Sequence, residues 1–185
     1  MRILAFDPGA NRMGYALLEE GPKEVLSGTT DTSGIVELEK DENETYQAHR
    51  LRIIEYWSKY TQNMINEFKP DIVANEIVPP TGGNAANVIH RQKAMAAITT
   101  VQVIAFQNGI PIKQVAASTV KKAIGGSGKA TKVAVRNGVF SLLPSTMRFK
   151  NEWKKVHDHS DAFAVGLTVL GQEIEKRTNR ADSKA

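Results

Sequence analysis

Between residues 46 and 116 the chain alternates long stretches of helical periodicity with short apolar runs, and that alternation narrows the folds open to it. Tyr46 to Phe68 carries Leu51, Ile54, Trp57, Met64, Ile65 and Phe68 at helical spacing, and Lys69-Pro70 closes the stretch. Asp71 to Ile77 reads as a buried strand ending in Asn75 and Glu76, followed by the breaker-rich loop Val78 to Asn84. Ala85 to Gln107 reads as a long alanine-rich helix ended by Asn108-Gly109, and Pro111 to Ala116 as a further strand. Upstream, Arg2 to Phe6, Met13 to Leu18 and Glu24 to Gly28 read as an antiparallel meander of three strands, with Thr29 to Glu44 a polar, acid-rich loop. Downstream, Ser118 and Thr131 are candidate N-caps for short helices over Thr119 to Ile124 and Lys132 to Leu143. Gly125 to Lys129 makes a flexible basic loop between them, and a last helix runs from Asp158 to about Arg177. The order predicts an α/β fold with a mixed five-stranded sheet flanked by helices.

A chain of 185 residues with 41% hydrophobic composition suits one domain with one sizeable core. We expect that domain over residues 1–178 and a disordered polar tail over 179–185. There is no cysteine, which excludes disulfides, thiolate metal sites and cysteine nucleophiles. No apolar run approaches about eighteen residues, so no membrane span is expected. The apolar run in MRILAF is too short for a signal-peptide core, and the expected location is the cytoplasm.

Charge is unevenly spread. From Ile112 to Lys155 the basic residues are Lys113, Lys121, Lys122, Lys129, Lys132, Arg136, Arg148, Lys150, Lys154 and Lys155, against the single acid Glu152. Such a segment suits a polyanion such as nucleic acid, although a solvated basic face has the same composition.

Four acids have settings beyond ordinary surface charge. Asp7 ends the first strand and Glu76 ends the fourth, at the carboxyl ends where α/β sheets place ligands. Asp158 and Asp161 open the last helix on one face. Each has a plain alternative, since Asp7 precedes a Pro-Gly turn and acids at a helix start offset its dipole. If the first and fourth strands are neighbours and the last helix packs across them, all four carboxylates converge. Clustered carboxylates raise one another's pKa or bind a hard divalent cation, and an all-oxygen donor set favours Mg²⁺ or Mn²⁺. Beside a lysine-rich surface, that combination points to phosphoryl chemistry on nucleic acid.

These residues resemble a known family. Asp7-Pro8-Gly9 with Gly14-Tyr15, the strand Asp71 to Glu76 with the long helix after it, Ala117-Ser118-Thr119-Val120-Lys121 with the Gly-rich loop bearing Lys129 and Lys132, and Asp158-x-x-Asp161-Ala162-x-Ala164 stand in the order and spacing of RuvC-type Holliday junction resolvases, members of the RNase H-like superfamily. The resemblance implies an RNase H-like fold and a homodimeric, Mg²⁺-dependent endonuclease that nicks paired strands at four-way DNA junctions. It implies that Asp7, Glu76, Asp158 and Asp161 are the metal-binding catalytic acids, holding two Mg²⁺ ions for which Mn²⁺ can substitute. It assigns Lys121, and Lys132 or Lys129, to phosphates near the scissile bond, with Lys121 offsetting charge there and Lys122 among the DNA-binding lysines. The long helix would build the dimer.

Several features depart from the pattern. Asn75 stands where the family has an apolar strand residue, the stretch from Thr29 to Glu44 is long, and Val78 to Asn84 lacks an aromatic residue. These fit a virus-borne homologue in a phage-infected bacterial host, with a broader taste for branched DNA. His157 and His159 are read either as a proton shuttle or replacement ligand, or as ordinary helix-start histidines. His49 and His90 are read as ordinary helix residues. Competing readings are a flap, fork or three-way nuclease of the same fold, a YqgF-like RNA-processing nuclease, and a junction-binding protein without catalysis. An actin-like ATPase would need two such domains, and one chain of this length holds a single one.

Overall fold

A computed structural model describes residues 1–7, 9, 11–20, 33–38, 43–78, 85–143 and 157–183, with the backbone alone for 33–37, 85–87 and 157–159. Its centre is a five-stranded sheet of β1 (Arg2–Asp7), β2 (Arg12–Glu19), β3 (Ser33–Glu37), β4 (Ile72–Glu76) and β5 (Ile112–Val115), in the order β3-β2-β1-β4-β5. β1, β2 and β3 form the expected antiparallel meander, and β4 and β5 add in parallel. The mixed α/β architecture is therefore as the sequence predicts.

The third strand is not where composition places it. Ser33–Glu37 pairs with Arg12 to Ala16 in the register Arg12↔Glu37, inside the stretch read as a loop, while Glu24 to Gly28 lies outside the described residues. SGIVE offers two apolar residues between polar ones, too short a signal for a strand that, among the described residues, lies at the sheet edge.

Strand parity divides the core. Leu4, Phe6, Met13, Leu17 and Val73 pack against α1 (Tyr46–Phe68) and α2 (Ala85–Gln107). Ile3, Ala5, Ala16, Leu18, Ile72, Ala74 and Val115 pack on the other face against α3 (Ala117–Gly125), α4 (Lys132–Leu142) and α5 (His157–Asp182). Successive side chains on a strand point to opposite faces, so Asp7 follows Ile3 and Ala5, and Glu76 follows Ile72 and Ala74. Both acids face the side of the sheet that α5 covers.

α1 has the predicted bounds. The Thr45 hydroxyl accepts from the Ala48 N–H, and Lys69 ends the helix in the left-handed region (φ 47°), its N–H donating to the Ile65 carbonyl. Its buried stripe is His49, Ile53, Trp57, Thr61, Met64 and Ile65. Trp57 is core as expected, but Ile54 and Leu51 are exposed, because the stripe runs through Ile53. His49 also departs from expectation. It is buried, with Nδ1 2.9 Å from Glu44 Oε2 and Nε2 2.9 Å from Asn11 Oδ1, and Arg52 Nη2 donates to the same Glu44 oxygen at 2.8 Å. This cluster ties the start of α1 to the segment joining β1 and β2.

Thr131 caps α4 by accepting from Ala134 N–H, as predicted. Ser118 does not cap α3, which begins two residues earlier than expected, with Ala116 at the cap position and no side-chain cap bond. α5 runs past Arg177 to Asp182, so the helix continues into the residues expected to be a frayed tail. A Cβ at Gly166 would meet Leu18 and Ala5, so glycine there lets α5 lie close on β1 and β2. Among the described residues no helix is long and apolar enough to cross a membrane.

Candidate active site

The β1–β4 register ends at Phe6↔Asn75, which leaves Asp7 and Glu76 next to each other, one residue beyond, on the face covered by α5. α5 brings Asp161 to the same place, with Ala162 to Val165 buried behind it. Asp7, Glu76 and Asp161 line one cavity of about 190 Å³ together with Ala117, Val120, Lys121, Lys132 and Val135. Acids distant along the chain thus share one pocket with two lysines, over an apolar wall from α3 and α4.

The electrostatics are those of crowded carboxylates. Glu76 is pushed above the ordinary carboxyl range, first by burial and then by the negative charge of Asp161, with Lys121 and Lys132 pulling the other way. Lys132 Nζ lies 3.2 Å from Asp161 Oδ2, an ion pair whose lysine side is mostly exposed. Among the described residues no three His, Asp or Glu side chains are drawn close enough to hold a metal as they stand. The pocket collects Asp7, Glu76 and Asp161, while the side chain of Asp158 lies outside the described residues. Its chemistry still suits a hard divalent cation: the donors are oxygens, and one of them carries a burial and repulsion penalty that a cation would relieve.

The other predicted site residues divide. Lys121 and Lys132 line the pocket. Lys122 and Lys129 are exposed and lie outside its lining, on the α3–α4 segment that forms the rim. Asp158, His157 and His159 belong to the first turn of α5, and their side chains lie outside the described residues. His90 is exposed, in keeping with an ordinary helix residue. Sequence reasoning missed the apolar wall of Ala117, Val120 and Val135, whose signal is only the helical spacing of two short elements.

Comparison with known proteins decides the family. Residues 3–169 match the family model described as crossover junction endodeoxyribonuclease RuvC. The chain belongs to the RuvC family. The crossover junction endodeoxyribonuclease RuvC of Prochlorococcus marinus subsp. pastoris is 32% identical over 94% of this chain and 98% of its own length. That of Cytophaga hutchinsonii is 28% identical over 96% of this chain and 80% of its own length. In fold, Thermus thermophilus RuvC in complex with a Holliday junction substrate superposes with a TM-score of 0.68 at 20% identity, covering 94% of this chain and 96% of that one. Family membership makes this RuvC chain a metal-dependent endodeoxyribonuclease of the crossover junction type.

Proposed function

We propose that this chain resolves four-way DNA junctions at the pocket of Asp7, Glu76 and Asp161, acting as a homodimer in the cytoplasm of a bacterial or phage-infected cell. The observation that carries the site assignment is that β1, β4 and α5 each deliver one carboxylate to a single cavity rimmed by Lys121 and Lys132. Asp7, Glu76 and Asp161, with Asp158 from the preceding turn of α5, would hold Mg²⁺, two ions per site, with Mn²⁺ able to replace them. Bound there, the metal supplies Lewis-acid activation of water and neutralises charge at the scissile phosphate.

The protein's own groups have separable tasks. Asp7 and Glu76 sit on paired strands and fix the floor of the site. Lys121 offsets charge on the phosphate being cut, as fixed cations do at such centres. Lys132, Lys122 and Lys129 hold the DNA backbone along the α3–α4 rim, contacts that orient without reading sequence. Two symmetric nicks require two pockets, which a two-fold dimer built on α2 supplies.

The test is nicking of a labelled mobile four-way junction by wild type and Asp161→Asn across a Mg²⁺ titration, with three-way and flap substrates in parallel. Paired nicks at the four-way junction, lost by at least about a hundredfold in the variant, are expected. Equal activity in both would remove Asp161 from the site. Binding without nicking at any metal concentration would favour a junction-binding protein, and equal cutting of flaps would favour the broader nuclease.

A further inference from the structure

Glu76 is held from behind. Its neighbour Asn75 is fully buried and points to the opposite face of the sheet, the side packed by Leu4, Val73 and the helices α1 and α2. Nothing in that hydrocarbon layer calls for an amide, and a buried amide is costly wherever its hydrogen bonds are not made. Here they are made in a directed way. Asn75 Nδ2 donates to the backbone carbonyl of Glu76 at 2.8 Å, and Asn75 Oδ1 accepts from Gln102 Nε2 at 3.0 Å. Gln102 belongs to α2, flanked by the buried Val101 and the exposed Val103.

The location gives these bonds a purpose. The β1–β4 ladder ends at Phe6↔Asn75, so on that side Glu76 lies past the last registered pair. On the other side the Ile77 N–H still donates to the Val115 carbonyl at 2.9 Å. The Asn75 amide provides the Glu76 carbonyl with a donor at this ladder end, and Gln102 fixes which way that amide faces. With the carbonyl bonded to Asn75 and the Ile77 N–H of the same peptide bonded to Val115, the peptide plane that follows Glu76 is held from both edges, and the backbone that aims its carboxylate into the pocket is held with it.

We propose that Asn75 and Gln102 are positioning residues for junction cleavage, an amide relay that orients Glu76 from α2. The proposal rests on Glu76 being one of the catalytic acids. The relay touches neither DNA nor the reacting atoms, and it acts only through the backbone of Glu76. It also makes α2, the helix with exposed Val103 and Phe106 on its outer side, a mechanical reference for the site.

The experiment replaces the relay by hydrocarbon of similar size in the pair Asn75→Val with Gln102→Leu. Three quantities are read: thermal unfolding, junction affinity in EDTA, and single-turnover cleavage at saturating protein with Mg²⁺. Swapping both side-chain partners for apolar groups removes the two amides together and leaves only the Glu76 carbonyl without this donor, so the loss of stability is modest. The expected result is a modestly lowered melting temperature and an unchanged junction affinity with cleavage slowed about tenfold or more, since small misplacements of a reacting group are costly in rate. Cleavage at the wild-type rate, or a loss of rate matched by an equal loss of affinity, would overturn the proposal. Should the pair unfold, Gln102→Met at a half-buried site removes the orienting donor alone. There, about threefold slower cleavage at unchanged affinity supports the relay, and an unchanged rate overturns it. Glu76→Gln is run alongside: full activity in that variant refutes the assignment of Glu76 itself, an outcome distinct from failure of the relay.

Discussion

Lys132, the first residue of α4, places its ammonium 3.2 Å from the Oδ2 of Asp161 on α5. The pair joins the basic rim to the acidic floor of the pocket. On the proposed function Lys132 serves two partners, the Asp161 carboxylate and a phosphate of the junction. Lys132→Ala is expected to weaken junction binding and reduce the slope of log affinity against log salt by about one, the signature of one lost phosphate contact. Titrating junction binding from low to moderate salt measures it, and an unchanged slope would take Lys132 off the DNA path.

Glu76 costs the folded protein stability. Its carboxyl lies above the ordinary value of 4.5, because burial and Asp161 oppose its charge. The folded state then binds the proton more tightly than the unfolded state does. The penalty is absent below the unfolded value, grows as pH rises from 4.5 toward the raised folded value, and is complete above it. Glu76→Gln should thus melt higher than wild type in metal-free buffer near about pH 7.5, with the gap closing near about pH 4. A variant no more stable at neutral pH would contradict the burial and repulsion assigned to this side chain.

The Glu44 carboxyl runs the other way. Its hydrogen bond with Arg52, and then that with His49, holds it below the ordinary range. The stability it contributes is present above the unfolded value of 4.5 and lost as pH falls through the lowered folded value. Glu44→Gln is expected to unfold at lower urea than wild type at neutral pH, with the difference disappearing in acid. A constant difference across that range would mean that packing, not charge, is what the residue supplies.

At Gly166 α5 lies close on β1 and β2. A methyl group there would press on Leu18 and stand 3.1 Å from the Ala5 Cβ, both in the fully buried core. Gly166→Ala is expected to destabilise by about 1–3 kcal/mol, the usual cost of overpacking, and to slow nicking by shifting Asp161. Denaturant unfolding and junction cleavage report the two effects separately. Unchanged values for both would show that α5 has slack against β1 and β2.

The parts of this fold that were legible in the chain are those with strong local punctuation. α1 and α2 were readable to the residue from their periodicity or alanine content and from the Lys-Pro and Asn-Gly stops that end them. That Asp7, Glu76 and Asp161 share a pocket was readable from their places at element ends, although a turn or a helix dipole explains each one singly. What escaped were matters of pairing. β3 pairs, among the described residues, with β2 alone and has too few apolar residues to announce itself. His49 looked ordinary because its partners, Glu44 and Asn11, are brought to it by tertiary structure. Asn75 was legible as an oddity within the strand, but its meaning needed Gln102, which lies on a different element.

Strand order has a last consequence. β1 and β4 are interior strands, each with a hydrogen-bonded neighbour on both flanks, and the two are neighbours of each other. Sliding either would break ladders on two sides, so the sheet fixes the strand ends from which Asp7 and Glu76 project. Asp161 and Lys132 ride instead on helices, which can shift by small amounts without severing a ladder. On the proposed function, any adjustment to an arriving phosphate falls to one jaw of the vice, while the other serves as its anvil.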